Sequence, residues 1–502
     1  MIANLDALPN HDLSWLAPRL KALHFTLRNI AGLGDLTVAG QVASADQQLL
    51  SQGPLGTVLR ALVLGSRVSV AELDLALGPN AAKRLADAGL ARVEGEEVAC
   101  LVSAAECYGA LTLADPYPTA GRPALESGSV LNVGNASVLA SEFTVRSKVA
   151  LAADIGCGQG LQAVLMAAHA DRVIATDVNP RALLLTEAAA KLNGVSDRIE
   201  CRMGSLLDPL QGQHFGLIVS NPPFVMRDDA HGASAISASS VGDGVVESLA
   251  RGIPALLADY GWFTMICNWH HSADASPSWS ERPRLWFANA GVDVWIVRNQ
   301  TVTAEHYGRS MIEADGHKAG AEFDARFAAW KKWCAENNAN FVSFGIIIAR
   351  RRNGANWMRV ESIPMTHRRG AGSDLIRNIF AGQTTLASLA TPEALLNMRL
   401  RRSNTVQGVQ VPANVPEAAK VPPGSVQLLH NQGWAMPQIV SPDVARFVQQ
   451  FDGSRPSGEQ AQQAIRAMGG TPPGPEQLAR VLTGMVRSAF LVPVSASGEV
   501  LL

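Results

Sequence analysis

Short apolar runs alternate with helical segments through the central part of the chain. Seven runs rich in branched aliphatic and aromatic residues are separated, in most cases, by stretches with helical periodicity; the runs are 149–156, 172–177, 198–204, 215–221, 261–269, 292–298 and 341–351. Strands that are apolar along their whole length are typical of sheets buried on both faces. The alternation therefore predicts an α/β fold with a mostly parallel sheet covered by helices on both sides.

A glycine-rich loop follows the first of these strands. The sequence ADIGCGQG contains Asp154 and three alternating glycines, Gly156, Gly158 and Gly160. Glycine lets the backbone turn tightly against a ligand, and the following helix N-terminus offers free N–H groups. Asp177 ends the second strand, 23 residues after Asp154, where an acidic side chain meets ribose hydroxyls in nucleotide-binding folds. The G-x-G-x-G spacing is not the longer G-x-G-x-x-G fingerprint of dinucleotide-binding folds, so NAD is disfavoured as the cofactor.

A rigid polar turn, SNPPF, follows the fourth strand. Its two prolines fix the backbone after Asn221, and Phe224 closes the turn. The Asn221 side-chain oxygen and the Pro222 carbonyl can each accept one N–H group, and Phe224 can stack on a flat acceptor. The turn resembles that of methyltransferases that modify planar nitrogens, and the resemblance implies such an acceptor. A planar nitrogen has a delocalised lone pair, so it is a poor nucleophile that needs orientation more than a strong base.

These motifs resemble the class I S-adenosylmethionine-dependent methyltransferases, in the small-domain branch whose N-P-P-[YF] turn follows the fourth strand. The resemblance covers residues 130–352 and implies a Rossmann-like, seven-stranded methyltransferase sheet with S-adenosyl-L-methionine as cofactor. It implies that Asn221, Pro222 and Phe224 are catalytic. It also implies a set of cofactor-binding residues: Asp154 and the glycines 156, 158 and 160 at the methionine part, Asp177 at the ribose, and Ser205 and Leu206 at the adenine, where many relatives have Asp in place of Ser205.

The acceptor remains open between several classes. Residues 350–402 contain ten arginines and three acidic residues, so an exocyclic base amine in RNA, ribosomal or transfer, is placed first. A protein glutamine of the release-factor type is the alternative, and DNA comes third. A cofactor-sensing winged-helix regulator without turnover is the alternative of another class, although a sensor needs no acceptor turn. The arginines also suit an ordinary ion-paired surface.

The flanking regions differ in composition from the centre. Residues 1–120 are expected to form a helical domain, with a winged-helix order over residues 50–115; Lys83 and Arg84 lie on its third helix, but Glu94, Glu96 and Glu97 in the hairpin would repel phosphate. Beyond the sheet we expect an Arg-rich segment (353–405), a Pro-rich linker (406–425) and a small helical domain (426–502).

The remaining sequence signals are weaker. The small, polar residues 226–244 that follow the acceptor turn are expected to form a mobile lid or an ordinary surface loop. The six cysteines lack metal-ligand spacing, so no metal is predicted. A net charge of −2 gives no overall attraction to nucleic acid or membrane, and the N-terminus lacks a leader pattern, so a cytoplasmic location is expected.

Overall fold

A computed structural model describes residues 5, 8–33, 39–116, 128–226, 242–314, 319–411, 422 and 424–502. Most of the expected lid (227–241) and of the expected linker (412–421 and 423) lies outside these residues. The chain divides into two compact units. The first comprises residues 1–141, 147–288 and 301–345, and the second residues 142–146, 289–300 and 346–502.

The first unit begins with short helices and two small antiparallel sheets. The helices are α1 (Leu16–Ala22), α2 (Leu27–Ala31), α3 (Ala39–Leu49), α4 (Gly53–Leu59), α5 (Val70–Leu77) and α6 (Ala81–Asp87). The strands are β1 (Val68–Ser69), β2 (Ala91–Glu94), β3 (Glu97–Cys100), β4 (Ser103–Cys107) and β5 (Ala110–Ala114). Strands β1, β3 and β2 form one sheet, and β4 pairs with β5.

Helices α4, α5 and α6 followed by the β2–β3 hairpin give the element order expected from the sequence. Helix α5 begins with a capping box, in which the Ser69 hydroxyl accepts from the Glu72 N–H and the Glu72 carboxylate accepts from the Ser69 N–H. The two basic residues of α6 have intramolecular partners, because Lys83 pairs with Asp87 and the Arg84 guanidinium lies 4.1 Å from the Trp15 ring centroid. The winged helix stays a prediction, and both basic side chains of α6 already contact other residues of the protein.

The central sheet contains eight strands, one more than the sequence predicts. They are β6 (Val149–Ile155), β7 (Ala170–Asp177), β8 (Ile199–Met203), β9 (Phe215–Ser220), β10 (Leu257–His271), β11 (Val292–Thr303), β12 (Phe341–Arg351) and β13 (Met358–Ser362), in the order β13-β11-β12-β10-β9-β6-β7-β8. Neighbouring strands from β10 through β9, β6 and β7 to β8 are parallel, as are β11 and β13. The additional strand, β13, was assigned to the Arg-rich segment because its sequence MRVES is not an apolar run.

Helices separate most of these strands, as the alternating pattern predicts. They are α7 (Asn135–Glu142), α8 (Leu161–Met166), α9 (Pro180–Leu192), α10 (Gly244–Leu256), α11 (Ser278–Trp286), α12 (Ala304–Ala314), α13 (Ala321–Glu336) and α14 (Ser373–Ser388). Helix α9 is capped by Asn179, whose side chain accepts from the Arg181 N–H, and Gly194 lies just beyond its end with a φ of 67°.

The N-terminal elements and the sheet helices share one hydrophobic core within the first unit. Buried Leu73 and Leu111 belong to the same cluster as Val164 of α8 and Leu185 of α9. The β4–β5 hairpin is also bonded to the end of α9, where Asn193 accepts from the Leu111 N–H at 3.0 Å and donates to the Leu111 carbonyl at 2.7 Å. The region before residue 120 therefore folds together with the glycine-loop side of the sheet.

The second unit ends in a mixed α/β region, where the sequence predicts helices alone. Its remaining strands are β14 (Arg399–Arg402), β15 (Val406–Gln410), β16 (Val426–His430), β17 (Gln438–Val440), β18 (Asp452–Pro456) and β19 (Leu491–Val494), and its helices are α15 (Pro442–Gln449), α16 (Ser457–Ala467) and α17 (Pro475–Arg487). Strand β15 occupies the expected start of the linker and pairs antiparallel with β16. The three helices surround a core that includes Phe447, Leu478 and Leu482.

Many of the clustered arginines are engaged within the second unit. At least five of the ten donate to protein oxygens among the residues that the structure describes. Three pair with carboxylates, Arg352 with Asp293, Arg359 with Glu361 and Arg368 with Glu142, and two donate to carbonyls, Arg369 to Thr366 and Arg399 to Gly453. An arginine held by a carboxylate offers less charge to a phosphate than a free one does. These ion pairs agree with the ordinary ion-paired surface that the composition left open as an alternative.

Buried Asp293 organises the start of β11, and its removal should destabilise the second unit. It is fully buried and accepts from Arg352, Asn356 and Thr384 side chains and from the Trp357 N–H, at 2.8–3.2 Å. Asp293→Ala leaves the Arg352 guanidinium without its buried carboxylate partner. We therefore expect a loss of about 3–5 kcal/mol in the free energy of unfolding, measured by urea denaturation. Asp443→Ala, which breaks the exposed Asp443–Arg446 pair, should cost less than about 1 kcal/mol. Equal losses would contradict the prediction.

Candidate functional site

The glycine loop connects β6 to α8 and is bonded to the neighbouring strand β7. The N–H groups of Gly156 and Cys157 both donate to the Thr176 carbonyl, at 2.9 and 3.0 Å. All three predicted glycines, at positions 156, 158 and 160, have positive φ angles of 74°, 53° and 83°. Glycine adopts this left-handed region without the steric cost that a side chain brings.

Gly160 is the most constrained of these glycines. A Cβ atom added there would lie 2.9 Å from the Thr186 Cα on α9. The Thr186 hydroxyl in turn donates to the Gly158 carbonyl at 3.1 Å. The loop therefore lies directly against α9, in a shape that requires glycine at its last position.

Asp154 lies at the end of β6 and is almost completely buried. Its Oδ2 accepts from the Ala163 N–H at 2.9 Å, in the first turn of α8. Burial raises the pKa of Asp154 to about 7; the Ala163 hydrogen bond opposes this increase, and the nearby Asp177 carboxylate adds to it.

Asp177 ends β7 and connects the loop to the next helix. One carboxylate oxygen accepts from the Gly158 N–H at 3.0 Å and the other from the Asn179 N–H at 2.9 Å. Burial raises the pKa of Asp177, and these two backbone donors oppose that effect. The Val178 N–H also contributes, and since a carboxylate has about four acceptor positions, at least one remains for a ribose hydroxyl.

Ser205 and Leu206 lie beside Asp177, beyond the end of β8. The Gly204 N–H donates to the Asp177 carbonyl at 3.0 Å, which joins the two strand ends. Leu206 has a positive φ of 47°, and its side chain is half-buried, whereas Ser205 is exposed. The structure thus brings the predicted methionine, ribose and adenine contacts to one end of β6, β7 and β8.

The acceptor turn leaves β9 next to the glycine loop. The Ser220 hydroxyl donates to the Ile155 carbonyl at 2.9 Å, and a Cβ added to Gly156 would lie 3.8 Å from the Pro222 Cα. Pro222 is buried, while Asn221 and Phe224 are half-buried. The glycine loop and the acceptor turn, more than 60 residues apart in the chain, therefore lie side by side.

The Asn221 amide is held at one end only. Its Nδ2 donates to the Ser137 hydroxyl of α7 at 3.1 Å. Its Oδ1 is buried and, among the described residues, has no hydrogen-bond partner. A buried acceptor without a donor costs about 1–3 kcal/mol, so this oxygen is poised to receive an N–H group.

Sequence reasoning missed the residues that hold the segment before α7 against the loop. Asp115, which follows β5, accepts from the Val130 N–H at 2.8 Å and from the Arg181 guanidinium, Nε lying 2.8 Å from Oδ2. Asn179 donates to the Gly128 carbonyl at 2.8 Å. Val130 then lies 3.9 Å from a Cβ built on Gly158. No local motif marks Asp115, because its partners are 15 and 66 residues away.

The arrangement fits S-adenosylmethionine. Two carboxylates at the carboxyl ends of adjacent parallel strands suit the cationic and ribose parts of this molecule. The glycines carry no Cβ, so a ligand can lie close to the backbone of the loop. Within the described ranges, no group of three His, Cys, Asp or Glu residues could hold a metal ion. Among those same residues, no helix is long and apolar enough to cross a membrane.

Comparison with known proteins supports this site. Residues 127–243 match the family model "Methyltransferase small domain". Among curated proteins, the chain is similar to the release factor glutamine methyltransferases of Aquifex aeolicus (38% identity over 74 residues, 14% of this chain and 26% of that protein), Xylella fastidiosa (32% over 132 residues, 24% and 48%) and Koribacter versatilis (29% over 188 residues, 35% and 63%). The chain spans about half the length, or less, of the first two.

Over residues 127–243 the matches confirm the resemblance to the S-adenosylmethionine-dependent methyltransferases of the small-domain branch. The α/β, Rossmann-like class is likewise confirmed, whereas the roles of the individual site residues remain predictions. The relatives are named for glutamine in release factors, which is the acceptor that the sequence placed second, and not for the RNA base amine that it placed first. Half of the arginines that suggested the RNA interpretation donate to protein oxygens in the contacts described above.

Asp177→Ala should weaken cofactor binding. The carboxylate is expected to accept the ribose hydroxyls, and charged hydrogen bonds contribute about 1.5–3 kcal/mol each, so the Kd for S-adenosylmethionine should rise about 10- to 100-fold in isothermal titration calorimetry. Asp171→Ala, at the exposed opposite end of β7, serves as the matched control. An unchanged Kd in Asp177→Ala would remove Asp177 from the site.

The buried Asp154 carboxyl should make the ligand-free protein less stable as the pH rises. Its pKa is about 7 in the folded chain and near 3.8 when exposed, so its neutral form stabilises the fold fully below pH 4, and this contribution is lost between pH 4 and 7. Asp154→Asn keeps the acceptor for the Ala163 N–H but cannot ionise. We expect the fall in Tm from pH 5 to pH 8 to be smaller in this variant; an identical fall would contradict the assignment.

Proposed function

We propose that the protein is an S-adenosylmethionine-dependent N-methyltransferase that modifies the side-chain amide of a glutamine in a protein. The observation that carries the proposal is the buried Oδ1 of Asn221 in the Asn-Pro-Pro-Phe turn, which has no hydrogen-bond partner in the part of the chain that the structure describes. The release factor glutamine methyltransferases among its relatives support the choice of acceptor.

A primary amide matches the hydrogen-bonding pattern of this turn. It carries two N–H donors on one nitrogen, and the turn offers two acceptors, the Asn221 Oδ1 and the Pro222 carbonyl. Accepting both N–H groups would fix the rotation of the amide and direct its nitrogen toward the glycine loop, which lies so close to the turn that a Cβ added to Gly156 would be 3.8 Å from the Pro222 Cα. Neither acceptor is basic enough to remove a proton, so the N–H proton would pass to water after the methyl group moves from sulfur to nitrogen and S-adenosylhomocysteine leaves. Their contribution is therefore orientation and hydrogen bonds that strengthen as charge develops.

Bound S-adenosylmethionine supplies the methyl group as an activated sulfonium. Around it, the chain's own residues hold the reactants: Asp154 anchors the loop to α8, Asp177 orients the loop through Gly158, and Ser137 orients Asn221. Phe224, half-buried at the end of the turn, presents a ring on which a flat amide can stack.

An RNA base amine carries the same two N–H donors but needs a phosphate-binding surface as well. Five of the ten clustered arginines already donate to protein oxygens, which weakens the case for such a surface. A cofactor sensor without turnover would have no use for an orphaned acceptor beside the glycine loop. Both alternatives are distinguished by the experiment that follows.

Asn221→Ala should abolish most methyl transfer without loss of cofactor binding. The full chain is incubated with labelled S-adenosylmethionine and fractionated lysate, and the label is tested for sensitivity to protease and ribonuclease. Protease-sensitive label, present as N5-methylglutamine, is expected. Removing one acceptor of a preorganised pair should lower kcat/KM about 100- to 1000-fold.

Asn353→Ala, which changes an exposed side chain, is the matched control and should be as active as the unmodified protein. Ribonuclease-sensitive label would overturn the proposed acceptor. Cofactor binding with no transfer into any fraction would favour the sensor. Full activity of Asn221→Ala would remove the turn from the mechanism.

A further inference from the structure

We propose that the helical hairpin α12–α13 positions the acceptor turn (residues 221–224) through the Tyr307 hydroxyl, and that it holds the start of α10 through Trp333. This inference rests on the proposed function, in which residues 221–224 bind the acceptor amide. The proposal assigns a role to the two helices between β11 and β12, which no motif in the sequence marks.

The first contact lies two residues beyond Phe224. The N–H of Met226, a residue that is almost completely buried, donates to the Tyr307 hydroxyl oxygen at 2.8 Å. The Nδ2 of Asn268 donates to the same oxygen at 3.0 Å. A tyrosine hydroxyl has two lone pairs, so these two donors use both of them and fix the oxygen's position.

Asn268 links this contact to the strand beside the acceptor turn. Strand β10 pairs in parallel with β9, and Met265 lies opposite Ser220, the residue that precedes Asn221. Asn268 is therefore three residues farther along, at the level of the turn itself. It is fully buried, and its Oδ1 has no partner among the residues that the structure describes. A second orphaned amide oxygen thus lies at the carboxyl ends of the same strand pair.

The second contact holds the backbone just before α10. A Cβ on Gly242 would lie 2.6 Å from the Trp333 ring of α13, so the glycine backbone lies directly against the indole. The neighbouring Asp243 is buried, pairs with Arg282 at 2.7 Å, and lies 3.4 Å from the Nδ1 of His270, whose ring meets Trp333 edge-on. Met226 and Gly242 are thus each fixed by the hairpin.

The hairpin is rigid enough to act as such a support. Tyr307, Phe327 and Trp330 belong to one buried cluster with Met226, and the Trp330 indole donates to the Ala304 carbonyl at 2.7 Å. The Tyr307 ring packs on Trp330 and Phe344, with centroids 5.7 and 5.8 Å away. Replacing Tyr307 by phenylalanine keeps this packing and removes only the hydroxyl.

Tyr307→Phe should therefore lower kcat about 10- to 100-fold, the scale of a small misplacement of a reacting group, with the Kd for S-adenosylmethionine within about twofold of the unmodified value. Hydrogen exchange by mass spectrometry should show faster exchange in the peptide that contains Phe224–Met226. Gly242→Ala, which displaces the backbone from Trp333, should lower kcat in the same way. Tyr108→Phe, at an exposed tyrosine, is the control.

Unchanged kcat and unchanged exchange at Phe224–Met226 would overturn the positioning role. A comparable loss of cofactor affinity would also overturn it, because the effect would then be general unfolding. If the unmodified protein methylates RNA and no protein, the proposed function fails, but the exchange measurement still decides whether Tyr307 fixes the turn.

Discussion

The parallel pairing of β6 with β7 and β9 is the constraint on which the rest of the site depends. Parallel strands end at the same edge, so Asp154, Asp177 and Asn221 reach one place from three separate parts of the chain. Local hydrogen bonds then reinforce this meeting. Asp177 accepts from the glycine loop, and Ser220 donates to the end of β6, so each strand end holds its neighbour. The expected chemistry follows from this geometry: a glycine loop with positive φ angles meets a rigid turn in which the Asn221 Oδ1 has no hydrogen-bond partner among the described residues.

The features predictable from the sequence were those with a strong local signal. Seven strands were evident because each is an apolar run, and β13 was not, because Met358–Ser362 mixes charged and apolar residues at the end of the sheet order. The glycine loop and the proline turn were recognisable because glycine frees the backbone and proline restricts it, in ways that few other residues do. Their placement at strand ends then predicted that they would meet.

Contacts between distant residues could not be read in the same way. Asp115 and Tyr307 have no distinctive neighbours in the sequence, and their roles depend on partners 66 and 81 residues away. The arginine cluster gave the opposite problem. Its composition indicated a basic surface, but the fold pairs two of the ten arginines, Arg352 and Arg368, with the buried acids Asp293 and Glu142. Charge counted along a sequence does not show which charges are neutralised by the fold. The C-terminal region was misjudged for a related reason, since short strands such as β15 and β16 carry less signal than amphipathic helices.

The contact between Asp115 and the segment before α7 has a consequence for the N-terminal region. Asp115 follows the β4–β5 hairpin, and through Val130 it lies beside the glycine loop that is expected to enclose the methyl donor. A ligand that binds only the folded loop stabilises everything that unfolds with it, by RT ln(1 + [L]/Kd). Because the N-terminal elements share the core of α8 and α9, their stability is thermodynamically linked to donor concentration. The N-terminal region would thus become more resistant to unfolding and proteolysis when the donor is abundant, and less so when the donor is scarce.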